Sequence, residues 1–401
     1  AMKLPPHVNL LAAAHYLQAL EYQRKANQAV AILGGKTPNI QNLAVGGVTN
    51  TLNLDGDVAL NREKLNWVKN LLSEVKQFVE QVYLVDVAAV GALYADWLGY
   101  GAGVTNYLAT PDMPLDAAAT EFDLPGGVIV GGDPGGVRTF DGWTDELFEK
   151  NVEESIARSW YEGNWQRRPY DEETVPQPPD PPPGLDEPVQ REAGEPYSWV
   201  KAPRFEKLPM QVGPLAQMLV GYAAGHPRVK HWVDHALKVA GSVAGTTLGP
   251  QVLHSTLGRH AARAVRATLL AEQSLSHWER LVANVEAGDT ETFTPWEYPA
   301  GEIQGFGVHE APRGILSHWV VIEGGKIKNY QCVVPSTWNA GPRDAEDQMG
   351  PYEASLMGNP IADDERPLEV LRTIHSFDPC LACAIHALDP EGRELSRVRA
   401  L

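Results

Sequence analysis

Apolar positions recur at helical spacing from Val8 to about Ile32, through Leu11, Ala14, Leu17, Leu20, Tyr22 and Ala29, and Gly34-Gly35 closes the pattern as a C-terminal stop. After a glycine- and asparagine-rich loop from Thr37 to Thr51, the same periodicity predicts helices over Asn61–Gln81 and Val85–Leu98. Further helices are predicted over Thr144–Trp160, Pro214–Ala224, Val229–Ala244 and Thr256–Ala287. Trp232, Leu237, Leu257, Ala261, Leu269 and Leu281 are the expected core positions among them. Tyr107 to Thr139 is richer in glycine and proline, with short β-like runs such as Val128-Ile129-Val130. Towards the C-terminus the texture changes. Ile315–Ile322 and Lys326–Pro335 read as two strands, and Gly324-Gly325 between them is a two-residue hairpin signal. Two short helices, Tyr352–Leu356 and Pro367–Ile374, complete the pattern. No internal repeat is present, and the expected class is α+β, mainly α with a small β section.

The chain has 401 residues, enough for one large or two ordinary domains, and is 43% hydrophobic and 21% charged, as globular chains with a sizeable core are. Its 33 Lys and Arg stand against 51 Asp and Glu, a formal charge of −18. No basic stripe is left to meet a phosphate backbone, which excludes nucleic acid as a partner. No apolar run approaches the roughly 18 residues a membrane span needs, and no cleavable signal peptide is visible at the start. The opening Ala1-Met2-Lys3 reads like the remainder of a longer chain. The clearest break is the proline-dense stretch 174–188, containing QPPDPPPGLDEP, which favours extended solvated backbone in a linker or a long surface loop.

Chemistry concentrates near the C-terminus, in the run DPCLACAIH from Asp378 to His386. The only other cysteine is Cys332, so the count of 3 excludes a disulfide framework. Cys380 and Cys383 on one turn can grip a soft metal from one side. The same CxxC spacing also serves redox pairs and half of a zinc site. A redox pair would be expected beside the first turn of an early βα unit, and a structural zinc site would need a second ligand pair. From spacing alone, metal binding and a redox pair both stay open.

The wider context bears on that choice. GFGVHEAPRGILSHWV at Gly305–Val320, NYQCVVPSTWNAGPRD at Asn329–Asp344, EASLMGNP at Glu353–Pro360 and PLEVLRTIHSFDPCLACAIH at Pro367–His386 resemble the large subunit of nickel–iron hydrogenases. STLGRHAARA at Ser255–Ala264 and KLPPHVNLLAAAHYLQALE at Lys3–Glu21 fit the same family, and the likeness covers essentially the whole chain. It looks most like the membrane-associated uptake type. The resemblance implies a single large-subunit domain over 1–401, lacking its N-terminal part, with a long-helix bundle core and a β-hairpin near 315–335.

The implied activity is reversible oxidation of H2 to protons and electrons at a nickel–iron centre carrying CO and CN ligands, with electrons passed to an iron–sulfur small subunit. Carried over residue by residue, Cys380 is a terminal nickel thiolate and Cys383 a thiolate bridging nickel and iron. The family's other two thiolates come from an N-terminal RxCGxC motif that this chain lacks, so the isolated chain is expected to be inactive. Arg313 corresponds to an arginine over the open metal position, with Asp378 orienting it. Pro312, Leu316, Val334 and Pro335 match positions lining the diatomic ligands, and Ser336 matches a hydroxyl donating to a cyanide nitrogen. A Mg2+ (or Fe) near the C-terminus would be held by His386 and by the backbone carbonyl of Cys332.

Family maturation cuts after the motif's histidine, so His386-Ala387 is the implied processing site and Ala387–Leu401 the removable tail. A maturation endopeptidase and nickel-insertion proteins are the implied partners besides the small subunit. Location is implied at the periplasmic face of the membrane through the small subunit, and cytoplasmic while unprocessed. Three other readings remain: a respiratory-complex relative that has lost its thiolates, against which Cys380 and Cys383 argue; a non-catalytic fragment or precursor bound by maturation factors; and a zinc-binding thiol module. His254, His260, His309, His318 and His375 are expected to be packing or surface histidines.

Overall fold

In the computed structural model of the chain, residues 3–116, 118–143, 146–180, 194–297, 300–363 and 366–380 are described, together with the backbone of the strands Ala384–Leu388 and Glu394–Arg399. Contacts divide the chain into two units. The first is Ala1–Ala95 with His231–Leu248 and Arg263–Pro299, and the second is Asp96–Lys230 with Gly249–Ala262 and Ala300–Leu401.

The first unit is helical. Helix α1 spans Pro6–Gly34, with Pro6 at a position where its missing N–H costs nothing, and ends on a left-handed Gly35. Helix α2, Arg62–Phe78, starts at Asn61, whose side chain accepts the Lys64 N–H at 2.9 Å. A π-turn over Val79–Tyr83 joins it to α3, Leu84–Leu93. α1 packs on α2 through Ala29, Val68 and Leu71, with Trp278 closing the cluster and donating its indole N–H to the Leu65 carbonyl at 2.7 Å. The remainder of α1 is less covered than its apolar spacing suggests. Leu11, Leu17 and Leu20 are exposed.

The second unit holds most of the β structure and the larger core. Helix α4 is only Glu146–Asn151, where the apolar pattern predicts a helix to Trp160. The chain turns instead into the strand Val152–Ser155, paired antiparallel with Ala202–Phe205. That partner lies about fifty residues downstream, so local periodicity could not announce it. The almost fully buried α5 spans Pro214–Ala223. Two long helices, α6 (Pro227–Ala244) and α7 (Thr256–Glu286), run on into the first unit. Of the core positions expected on them, Leu237 and Leu269 are buried, while Trp232, Leu257, Ala261 and Leu281 are half-buried.

The C-terminal sheet is a three-stranded antiparallel meander of Glu302–Ala311, Gly314–Glu323 and Lys326–Val333. The last two strands form the expected hairpin, with Gly324 and Gly325 both at positive φ (59° and 74°), as a twist-matched turn requires. The first strand was not legible in the pattern, and Pro335 opens helix α8 (Pro335–Ala340) rather than ending a strand. Trp319 from the middle strand is buried in an aromatic nest, stacked on Phe306 at 5.1 Å and met edge-on by Tyr170 at 4.9 Å. The short helices α9 (Pro351–Leu356) and α10 (Leu368–His375) then deliver the chain to the cysteine motif. No helix among the described residues is long and apolar enough to cross a membrane.

Candidate metal centre

Three segments of the second unit converge before the C-terminal motif. The first is the tip of the meander, where Ala311 pairs with Gly314 and leaves Pro312-Arg313 as a two-residue loop. This tip lies against the backbone of Val212-Gly213. A Cβ on Gly213 (φ +116°) would stand 2.8 Å from the Arg313 carbonyl oxygen, and one on Gly314 (φ +123°) would stand 2.5 Å from the Gly213 nitrogen. Only glycine at both positions permits this approach. Asn339 of α8 fixes the same loop from the other side. Its Oδ1 accepts the Val212 N–H at 3.1 Å and its Nδ2 donates to the Val212 carbonyl at 3.0 Å.

The second segment is the turn after α10. Asp378 adopts φ +58°, the left-handed region, at a strain of roughly 1–2 kcal/mol that aspartate bears better than most residues. The turn presents two acceptors to one arginine. Arg313 Nε donates to the Asp378 carbonyl at 2.5 Å, and Nη2 donates to Oδ1 at 3.2 Å. The carboxylate's other oxygen stands 3.2 Å from Nε. Arg313 Nη1 has no hydrogen-bond partner among the described residues.

The third segment is the start of α8. The buried Ser336 hydroxyl accepts the Cys380 N–H at 3.3 Å, which leaves its own proton to be donated. Cys380 carries a free, exposed thiol. Thus Arg313 and Ser336, remote in sequence, are joined to the neighbouring Asp378 and Cys380 in one connected group. Around it Pro335 is buried, Leu316 is half-buried, and Pro312 and Val334 are exposed.

The remaining expected residues are placed differently. Cys383 lies outside the described residues, as do the side chains of His386 and Ala387. Their backbone runs in the strand Ala384–Leu388, with His386 opposite Arg397 and Ala387 opposite Ser396. Much of the proline-rich stretch, from 181 on, also lies outside. Cys332 is exposed. Its thiol is 3.3 Å from His318 Nδ1, itself 2.5 Å from the Tyr330 hydroxyl. Among the described residues no group of three or more His, Cys, Asp or Glu gathers as a metal site would. The described donors fit a soft metal in one respect: a free thiol is available on the turn whose Asp378 holds a guanidinium.

Two groups carried no signal in the sequence. One is Arg259 on α7, buried just behind the Asp378 turn, with Ser376, Gln211 and the Gly101 carbonyl among its acceptors. Nothing in STLGRHAARA distinguishes it from a solvated helix arginine. The other is a buried trio of Lys201, Glu154 and Glu172. Lys201 Nζ lies 2.5 Å from Glu154 Oε2, pairs with Glu172, and reaches Gln331 Oε1 at 3.3 Å. Burial, and then the neighbouring Glu154 charge, push the Glu172 carboxyl up to about 9; burial likewise pushes Glu154 up. Glu172 and Gln331 also line a surface groove of about 760 Å3.

Comparison with known proteins gives a consistent result. Residues 1–386 match the family model described as nickel-dependent hydrogenase. The chain is 48% identical over 402 residues to the Hydrogenase-2 large chain of Escherichia coli (strain K12), covering 100% of this chain and 69% of that one. It is 42% identical over 418 residues to the uptake hydrogenase large subunit of Bradyrhizobium diazoefficiens, covering 100% of this chain and 68% of that one. Among solved structures, the Ni-Fe-Se hydrogenase from D. vulgaris Hildenborough superposes with a TM-score of 0.77 at 31% identity, over 94% of this chain and 71% of that chain.

Proposed function

We propose, from the premise that this chain belongs to the nickel-dependent hydrogenase family, that it is the catalytic large subunit of an enzyme interconverting H2 with protons and electrons. The observation that carries the reading is the convergence of Arg313, Asp378, Cys380 and Ser336 on one place. Cys380 and Cys383 would hold nickel, with Cys383 shared to the iron and the other two thiolates coming from the family's N-terminal motif. When bound, the dinuclear centre would supply the Lewis-acid and redox chemistry that polarises and splits H2.

The chain's own residues have separate tasks. Arg313 offers a rigid, planar fork of donors. With Nε and Nη2 held by Asp378, its Nη1 is left to polarise whatever occupies the open position, a preorganised donor that need not reorient during reaction. Asp378 supplies orientation through both a main-chain and a side-chain oxygen. The Ser336 proton would be given to a cyanide nitrogen, while Pro312, Leu316, Val334 and Pro335 would wall the weakly hydrogen-bonding CO. Cys380 is the candidate first acceptor of the proton. The Cys332 carbonyl and His386 would hold Mg2+ (or Fe), and cleavage between His386 and Ala387 would close maturation, assisted by the endopeptidase and nickel-insertion proteins.

Electrons would leave through the iron–sulfur clusters of a small subunit, which would also bring the pair to the periplasmic face of the membrane. The test is Cys380→Ser in the matured heterodimer. The reading predicts less than a tenth of wild-type nickel and no H2-dependent dye reduction. Stoichiometric nickel in that variant, by elemental mass spectrometry, would sink it.

A further inference from the structure

Arg259 is 3% exposed, and its guanidinium is engaged in three directions. Nε donates to Ser376 Oγ at 2.7 Å, Nη1 to Gln211 Oε1 at 3.1 Å and Nη2 to the Gly101 carbonyl at 2.5 Å. Its charged carbon lies 3.8 Å from the centroid of the Phe377 ring. Bringing a guanidinium out of water is expensive, and a well-packed apolar side chain would fill the same space at less cost to stability. The placement therefore points to what the fork connects.

Ser376 and Phe377 lead directly into the left-handed Asp378, and so into the oxygens that hold Arg313 and the amide by which Cys380 meets Ser336. Gln211, fully buried, is fixed to the strand Tyr107–Ala109, whose Leu108 N–H donates to its carbonyl at 3.1 Å. It directly precedes Val212-Gly213, the seat of the Arg313 hairpin tip and the anchor of α8 through Asn339. One planar group thus spans both halves of the candidate centre, the turn bearing Asp378 and Cys380 and the loop seating Arg313.

We infer that Arg259 is a positioning residue that sets the distance between Cys380 and Arg313, and through it the turnover of the centre. The inference rests on the function proposed above. Lysine has the charge without the fork, so Arg259→Lys can satisfy one of the three acceptors well but not all three together.

The test uses the matured heterodimer with nickel content, kcat and KM for H2, and a double-mutant cycle with Arg313→Lys. Arg259→Lys should keep its nickel, leave KM within about twofold and lower kcat about tenfold or more. The double variant should be no slower than Arg313→Lys alone, because Arg259 acts through that residue. Hydrogen exchange on the metal-free chain gives a readout independent of activity: amides 376–380 should exchange faster in Arg259→Lys while those of α7 stay protected.

Multiplying losses in the cycle, unchanged exchange at 376–380, or a wild-type kcat would overturn the inference. If Arg259→Lys does not fold, Ser376→Ala, which removes one acceptor of Arg259 together with that hydroxyl's own bond to the Thr373 carbonyl, enters the same cycle with an expected loss of about threefold. Wild-type protein without nickel or H2 turnover would instead overturn the proposed function.

Discussion

Replacing Arg313 by lysine separates the holding of this side chain from its action. In the native chain the guanidinium commits Nε to the Asp378 carbonyl at 2.5 Å and Nη2 to Oδ1 at 3.2 Å, leaving Nη1 over. A lysine ammonium is a single point on a flexible stem, able to meet Asp378 or to face the reacting position but not to do both in a fixed geometry. The pair is 31% and 41% exposed on its two sides, so losing it should cost stability no more than about 1 kcal/mol. That corresponds to a melting shift of roughly 2–4 °C.

Losing a preorganised donor at the reacting position should cost far more, about 10²–10³-fold in kcat, or some 3–4 kcal/mol of barrier. Asp378→Asn gives the internal control. Asparagine tolerates the left-handed backbone at φ +58°, and the main-chain carbonyl that accepts Nε is untouched. Only the charged acceptor is lost, for about a tenfold decrease. The assay is H2-driven viologen reduction by the matured heterodimer, with nickel content and thermal melting recorded on the same samples. Arg313→Lys within about threefold of wild type, or Asp378→Asn as damaging as Arg313→Lys, would refute the reasoning.

Gly213→Ala should destabilise the second unit by roughly 1–3 kcal/mol, because a side chain at φ +116° is strained and its Cβ would crowd the Arg313 carbonyl at 2.8 Å; denaturant unfolding measures the loss, and activity should fall with it. The buried carboxyls predict a pH dependence of stability. Glu172 titrates at about 9 when folded, well above its ordinary 4.5, so the folded chain binds the extra proton between those values. Its contribution is full below about pH 4.5 and is lost as pH rises through 9. Glu172→Gln should therefore flatten the fall in melting temperature between pH 6 and 9, and an unchanged slope would contradict that assignment. Leu269, fully buried on α7, should lose about 2–5 kcal/mol on truncation to alanine, read from a chemical melt.

Several features were legible because their causes are local. Apolar spacing and glycine stops mark α1, α5 and the two long helices within a few residues, and Gly324-Gly325 marks its hairpin because a two-residue turn needs positive φ twice. Where pairing is remote, the pattern misled. Val152–Ser155 looks like the continuation of a helix until Ala202–Phe205 arrives to pair with it. Glu302–Ala311, mixed in polarity and carrying two glycines, shows no clean alternation, yet it makes the ladder whose tip is Arg313. The exposed Cys332 likewise owes its environment to His318, its partner across the sheet.

The candidate centre divides in the same way. The identities of Cys380, Asp378, Arg313 and Ser336, and the family they indicate, are written in short motifs, because ligand chemistry depends on residue type and close spacing. Their meeting is not. It depends on a left-handed turn at Asp378, on two glycines that let one backbone lie against another, and on Arg259 and Asn339, whose partners Ser376 and Val212 stand more than a hundred residues away along the chain. By itself the sequence determined which donors are available and which helices carry them. Only the tertiary structure decided which donors face one another, because a buried polar group must find its acceptors wherever the packed chain brings them.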